Sequence, residues 1–295
     1  MYKPEGVIVA MVTPMTKDGL VDESALRAQV ERHVTSGVSA MFVLGTNGEF
    51  FSLDESEKET VIRIAVDQAA HRIPVLAGVG CPTTTQTVRL ARKAEALGAD
   101  ALSVITPYFG KTSEASQIAF YETVAGSVSL PILLYNIPMR TGNSISPQAL
   151  KTLAQIPGIA GIKDSSGNFD NTLRYLEITD RKFPVLAGND SLILSTLMAG
   201  GVGAIAGTAN LFPNKVSGIY RAFRAGNLAE ATRLQDGLRH IRNCFSLGDS
   251  IGVVKHTANL LGQKVGEMRP PFGVPTPQWD EKLTEVLHEY YADWS

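Results

Sequence analysis

Short apolar runs alternate with amphipathic stretches along most of the chain, and this alternation predicts a β/α repeat. The runs that read as strands are Val7–Val12, Ala40–Leu44, Val75–Ala77, Ala101–Ile105, Ile132–Tyr135, Ile159–Lys163, Val185–Ala187 and Gly203–Ala206. They are nearly continuous in apolar residues rather than alternating with polar ones. That pattern belongs to parallel strands covered on both faces. Between them lie helical stretches such as Ser52–Ala70, where Ser52 and Glu55 are placed to form a capping box. Ser146-Pro147 reads as an N-cap followed by proline at the first helical position.

The joints repeat as well. Gly37, Gly98 and Gly200 each stand at a helix exit just before a small-residue strand entry. The segment Pro74-Val75-Leu76-Ala77-Gly78 returns as Pro184-Val185-Leu186-Ala187-Gly188. Eight evenly spaced βα units fit an open doubly wound sheet or a closed barrel, and the count of eight favours the (β/α)8 TIM barrel. Further helical sequence follows at Leu228–Phe245, Ser250–Leu261 and Thr276–Tyr291. The expected organisation is therefore a barrel over residues 1–226 and a C-terminal helical extension over 227–295, packed as one functional unit.

Composition narrows the classes. Hydrophobic residues make up 44% and charged residues 19%, as in a well-buried globular protein. Lys plus Arg number 27 against 29 Asp plus Glu, so a nucleic-acid partner has no electrostatic support. Ser191 to Asn214 carries no charge, yet its glycines fit a helix, a turn and a buried strand better than a membrane span. The first residues lack the apolar core of a signal peptide, and Cys81 and Cys244 suggest neither a disulfide framework nor a zinc site. Cytoplasm is the default location, with no membrane partner.

In a parallel barrel, chemistry gathers at the C-terminal strand ends and the loops that follow. Lys163 stands out there, because Gly158-Ile159-Ala160-Gly161-Ile162 before it has no other polar side chain. A lysine leaving such a strand toward the barrel mouth is partly desolvated, the condition for a free amine that attacks a ketone. Snorkelling to solvent is the plainer alternative. Tyr135, at the neighbouring strand end, is placed to move protons or simply to line the rim. Thr46 offers a hydroxyl within a glycine-flanked turn, or ordinary turn chemistry. Arg140 suits a carboxylate clamp or a surface salt bridge.

Taken in order, Gly45-Thr46-Asn47-Gly48-Glu49, Thr106-Pro107-Tyr108, Tyr135-Asn136-Ile137-Pro138, Gly161-Ile162-Lys163-Asp164-Ser165-Ser166-Gly167, Gly200-Gly201-Val202-Gly203-Ala204-Ile205 and Thr208-Ala209-Asn210 resemble the dihydrodipicolinate synthase/N-acetylneuraminate lyase family of class I pyruvate-dependent aldolases. The likeness runs from Gly6 to about Pro271. It implies a lyase in which Lys163 holds pyruvate as a Schiff base, Tyr135 shuttles protons, and Thr46 orients Tyr135. By the same resemblance Thr46 and Asn47 receive the pyruvate carboxylate, Gly188 and Ile205 line the pyruvate pocket, Arg140 binds the carboxylate of the aldehyde substrate, and Tyr108 is a further substrate-binding residue. The resemblance implies no metal or organic cofactor, and a homo-oligomer, commonly a tetramer built from dimers. His33, His71, His240, His256 and His288 indeed show no metal-ligand spacing.

Within that family the substrate is read from departures. Phe109 stands where the synthases carry a second tyrosine, and Asn47 replaces the second threonine of the usual loop. Lys111-Thr112-Ser113-Glu114 is closer to the 2-keto-3-deoxy sugar-acid aldolases, whereas Arg140-Thr141-Gly142 keeps the pattern of the synthases. The expected order is a sugar-acid or related 2-keto-acid aldolase first, 4-hydroxy-tetrahydrodipicolinate (dihydrodipicolinate) synthase second, and sialic acid lyase third, since Ser191 stands where the last has an acidic residue. Competing classes are a barrel isomerase or phosphate-sugar enzyme, a metal-dependent aldolase, and a non-catalytic small-acid-binding barrel. No dinucleotide fingerprint follows the first strand, and no nucleophile elbow is present.

Overall fold

The computed structural model describes residues 2–294. Eight parallel strands close on themselves in sequence order: β1 (Gly6–Ala10), β2 (Ala40–Val43), β3 (Val75–Gly78), β4 (Ala101–Ile105), β5 (Ile132–Asn136), β6 (Ile159–Asp164), β7 (Val185–Ala187) and β8 (Gly203–Ala206). Pairing of Ile8 with Ile205 and with Ala40 seals the ring at β1. The fold is the expected TIM barrel with C-terminal helices. Its strands are buried almost throughout, which is why each reads as an apolar run without a two-residue period. Gly37, Gly98 and Gly200 leave their helices at φ of 75°, 87° and 104°, the left-handed turn expected of them.

The charge-free stretch after Ser191 resolves into a helix, Ile193–Met198, then β8, then a short 3₁₀ turn at Thr208–Asn210. Among the described residues no helix is long and apolar enough to cross a membrane. Cys81 and Cys244 are both unpaired and buried.

One local expectation fails. The helix after β2 runs Glu55–Ala69 and is capped two residues later than the pattern suggested, by Asp54 with Glu57. Ser52 instead ends a 3₁₀ turn, Phe50–Ser52. The shift has a tertiary cause. Arg269, far along the chain, donates to both Glu57 carboxylate oxygens at 2.6 and 2.9 Å and to the Ser52 carbonyl at 2.6 Å. Glu55 turns away to the Lys93 ammonium at 2.8 Å.

Beyond the barrel helix Pro213–Arg224 come Leu228–Gly237, Arg239–Asn243, Ser250–Leu260 and Pro277–Tyr290. A second apolar cluster joins Val12, Leu211 and Phe212 of the barrel to Ile241, Val253, Trp279 and Tyr291. Phe212 stacks on Tyr291 with ring centroids 4.6 Å apart. At the centre of this junction lies a fully buried ion pair, Lys255 to Glu49 at 2.8 Å, both side chains 0% exposed. The Lys255 ammonium also donates to the carbonyls of Thr13 at 3.0 Å and Glu267 at 2.7 Å, so all three of its protons are used. The second Glu49 oxygen accepts the Arg269 amide at 3.0 Å. Burial pushes the Lys255 ammonium below its ordinary range, and the Glu49 carboxylate offsets part of that.

A buried pair of this kind costs most when only one charge is removed. Lys255→Met alone, or Glu49→Gln alone, is expected to destabilise the fold by about 3–5 kcal/mol in guanidinium unfolding. The double replacement by methionine should lose less than the two single changes together. Additive losses would mean the two charges do not act as a pair.

Candidate active site

The parallel register sets the first contact. Tyr135 on β5 pairs with Lys163 on β6, so their side chains leave neighbouring strands at the same level. Lys163 is 4% exposed, and its Nζ lies 4.2 Å from the centroid of the Tyr135 ring and 5.3 Å from that of Phe42. The amine therefore sits in an aromatic, largely dry enclosure, not at a solvated strand end. The snorkelling alternative does not describe it. Phe42 meets the Tyr135 ring edge-on at 6.3 Å, which fixes the phenol in place. The Tyr135 hydroxyl is 3.0 Å from Thr46 Oγ1.

The loop carrying Thr46 is held from below. Glu49 adopts a left-handed φ of 54°, which turns its carboxylate down to Lys255. Thr13 donates to the Gly48 carbonyl at 2.7 Å. Asn47 folds across the mouth toward the Ala10 carbonyl at 3.4 Å. On the other side Asn136 donates to Asp164 at 3.0 Å, which ties the ends of β5 and β6 together. Asp164 also accepts from Ser166, Asn171 and Thr172, so this carboxylate beside Lys163 is fully engaged in holding its loop.

These groups open on one cavity of about 220 Å³, lined among others by Thr46, Asn47, Tyr135, Arg140, Lys163, Gly188 and Ile205. Its size suits a small acid rather than a drug-sized ligand, whose pockets run from about 300 Å³ upward. Two glycines keep it open. A Cβ on Gly188 would collide with Ser165 Oγ and stand 2.8 Å from the Asp164 carbonyl oxygen. On Gly207 it would stand 2.7 Å from Asn47 Nδ2. Ser165 Oγ is buried without a partner, a free hydroxyl at the cavity wall.

Two residues behave differently from expectation. Tyr108 does not line this cavity. Its ring packs edge-on against Phe50 at 5.8 Å and faces a separate pocket with Cys81 and Gln86. Burial there pushes its phenol up to about 12. The reason is local: the chain after Thr106-Pro107 turns outward, and Phe109 ends fully exposed at φ 74°. Arg140 does line the cavity, but it also makes an ion pair with Asp249 of the extension at 3.1 Å. The salt-bridge reading of that arginine is therefore present, with the side chain also bordering the cavity.

The sequence reading missed the contribution of the extension. Arg242, Phe245, Ser250 and Val254 all reach the cavity. Asp190 also lines it, with its carboxylate accepting the amides of Gly207 at 3.2 Å and Thr208 at 2.7 Å. A strand-end rule had no means of finding Arg242 or Phe245, which lie beyond the eighth unit. Among the described residues no group of three or more His, Cys, Asp or Glu side chains is arranged to hold a metal ion.

Comparison with known proteins agrees with this geometry. Residues 3–290 match the model of the dihydrodipicolinate synthetase family. The 4-hydroxy-tetrahydrodipicolinate synthase of Geobacter sp. (strain M21) is 37% identical over 286 residues, spanning 97% of this chain and 98% of that protein. The crystal structure of dihydrodipicolinate synthase from Aquifex aeolicus superimposes with a TM-score of 0.93 at 35% identity, covering 97% of this chain and 98% of that one. YagE, a prophage protein of the dihydrodipicolinic acid synthase family from E. coli K12 solved in complex with pyruvate, gives 0.92 at 32% identity, with 96% and 98% covered. With an eight-stranded barrel, a buried lysine at the end of β6 and relatives over nearly the whole length, the chain belongs to the dihydrodipicolinate synthetase family and is an enzyme of the class I pyruvate-aldolase type.

Proposed function

We propose that this chain captures pyruvate as a Schiff base on Lys163 and joins the resulting enamine to an aldehyde, or runs the reverse cleavage. The observation that carries this reading is the buried Lys163 amine set against Tyr135, whose hydroxyl is in turn held by Thr46. The amine lone pair attacks the keto carbon, and the keto oxygen leaves as water. The protonated imine then draws electrons, so the methyl carbon loses a proton to give the enamine. Attack on the aldehyde carbon forms the new carbon–carbon bond, and water returns the keto group and frees Lys163. Tyr135 moves the protons at the imine, and Thr46 keeps its hydroxyl aimed. Asn47 and Thr46 receive the pyruvate carboxylate, while Gly188 and Ile205 give it room. The imine itself is the electron sink, so the reaction proposed is cofactor-free.

For the aldehyde, the relatives' names support the 4-hydroxy-tetrahydrodipicolinate synthase reaction, which reverses the order expected from the sequence. A 2-keto-3-deoxy sugar-acid aldolase remains the second reading, favoured by Phe109 and Asn47 where the synthases carry hydroxyl groups. A cytoplasmic homo-oligomer is the proposed setting. The two unpaired buried cysteines and the outward-facing Phe109 support it.

Borohydride reduction in the presence of pyruvate is expected to leave a pyruvyl adduct on the Lys163 peptide. Lys163→Ala should remove both the adduct and turnover while unfolding at the wild-type midpoint; appreciable turnover in that variant would sink the Schiff-base role. Tyr135→Phe is expected to slow turnover roughly a hundredfold or more while an adduct still forms. An unchanged rate would reduce Tyr135 to a wall residue. Gly188→Ala should cost about 1–3 kcal/mol of stability by overpacking and should also block pyruvate trapping. Wild-type trapping in this variant would show that the backbone at this position does not shape the pyruvate site.

A further inference from the structure

His256 lies on the helix Ser250–Leu260 of the extension, one residue after the buried Lys255. Its two ring nitrogens meet two carboxylates from different elements. Nδ1 is 3.0 Å from Glu267 Oε1, in the segment that follows the helix. Nε2 is 2.9 Å from Asp280 Oδ1, on the last helix, Pro277–Tyr290. A neutral imidazole carries a single N–H, so it donates to one of the two and turns a lone pair toward the other. Only the imidazolium donates to both. Partial burial by itself disfavours that cation, but the bonds to Glu267 and Asp280 together outweigh it and hold the ring above its ordinary range.

The surrounding charges are engaged elsewhere. Among the described residues neither Glu267 nor Asp280 makes another ion pair. The Lys255 ammonium meets Glu267 only at its backbone carbonyl and is paired with Glu49. The Arg269 guanidinium is held by Glu57 and the Gly19 carbonyl, and Lys282 pairs with Glu285. The 3₁₀ turns Thr208–Asn210 and Cys244–Leu247, which also pack on this helix, carry no charged side chain. Glu267 therefore faces two ways. Its carboxylate is held by His256 and, at 3.1 Å, by Asn259 Nδ2, while its carbonyl accepts Lys255 Nζ at 2.7 Å. Two residues on, the Arg269 amide donates to the second Glu49 oxygen. The segment that His256 holds from outside is thus the one that completes the buried pair beneath Thr46.

We infer that His256 is a positioning residue for the reaction, whose doubly bonded ring clips Glu267–Arg269 to the last helix, so seating Glu49 and the Thr46 loop, and whose neutral ring releases that clip. The inference rests on the reading of Thr46 and Tyr135 as the pair that handles protons at Lys163. The sign follows from the raised value in the folded chain. The stability contributed by His256 is fully present below the ordinary histidine value of about 6.5, and is lost as pH rises through the higher folded value. The clip is closed on the acid side of that window and open on its alkaline side.

Trp279 reports the ring directly, because its indole meets His256 edge-on at 6.0 Å and an imidazolium quenches indole emission more than a neutral ring does. In a Trp294→Phe background Trp279 is the single tryptophan. Its emission is expected to rise with pH about a midpoint above the ordinary value, and His256→Gln should remove that step. Hydrogen exchange of the peptide holding residues 45–49, compared at each pH between the wild type and His256→Gln, follows the loop and needs no substrate. Wild-type protection should exceed the variant's by about threefold or more below the midpoint and match it above. Release of tritium from methyl-labelled pyruvate should show the same falling ratio, because the titrations of Lys163 and Tyr135 divide out. Asp280→Asn, at a side chain 63% exposed, should move the fluorescence and loop midpoints down together. Absence of the fluorescence step in the wild type overturns the inference. So does a loop ratio that stays near one or does not change across the midpoint. A tritium ratio fixed at one while the loop follows His256 also overturns it, since the ring would then only hold the helix. Loop exchange that follows His256 in a protein trapping no pyruvate upholds the clip, and the Lys163 reading alone then fails.

Discussion

The buried ion pair between Glu49 and Lys255 is the constraint on which the arrangement of this molecule turns. It joins the loop after β2 to a helix more than 200 residues later, with both charges withdrawn from water. Such a pair is costly to bury, and it persists only where every remaining donor and acceptor is met. Here the carbonyls of Thr13 and Glu267 and the amide of Arg269 complete the set. The same network continues through Arg269 to Glu57 and so sets where the following helix begins. A local capping pattern at Ser52 and Glu55 yields to this longer-range demand.

What the pair holds is the underside of the loop that carries Thr46 and Asn47. Glu49 in a left-handed conformation shows the loop bent to satisfy the buried charge. Above it, Thr46 meets Tyr135, and Tyr135 meets Lys163 through the register of two adjacent strands. The chain of contacts therefore runs from the extension, through a buried charge, to the amine. Rigid strands give the lysine and tyrosine their spacing, and the ion pair gives the loop its height. Neither element alone defines the cavity.

The barrel itself was open to reading because its strands are covered on both faces and several of its helices exit on glycines. The first leaves a mark on every βα unit and the second on several, so an error in one is corrected by its neighbours. Lys163, Tyr135, Thr46 and Arg140 stood out by the same regularity, Asn47, Gly188 and Ile205 came from the family resemblance, and the structure brings all seven to one cavity. Tyr108 was misplaced because a motif gives adjacency along the chain, whereas the outward turn after Pro107 sends the ring toward Phe50. Glu49 and Lys255 escaped for a different reason. Nothing in either local sequence announces a partner two hundred positions away, and a lone lysine within an apolar helix pattern does not reveal that it is fully buried.

The extension carries the argument furthest. A barrel with its loops already offers a buried lysine, a tyrosine against it and a glycine-flanked turn, the groups to which the proposed function gives the keto-acid half of a condensation. At the opposite side of the mouth, β7 and β8 supply mostly backbone and small side chains. Arg242, Phe245 and Val254 arrive there from beyond the eighth unit, and Asp249 arrives to engage Arg140. Lys163 and Tyr135 sit on strands that cannot move without opening the barrel. The lining residues of the extension sit on elements anchored by one buried charge and one apolar cluster, and can change side chains without disturbing the ring. Under the proposed function, this division lets one scaffold keep its covalent chemistry while its second substrate changes.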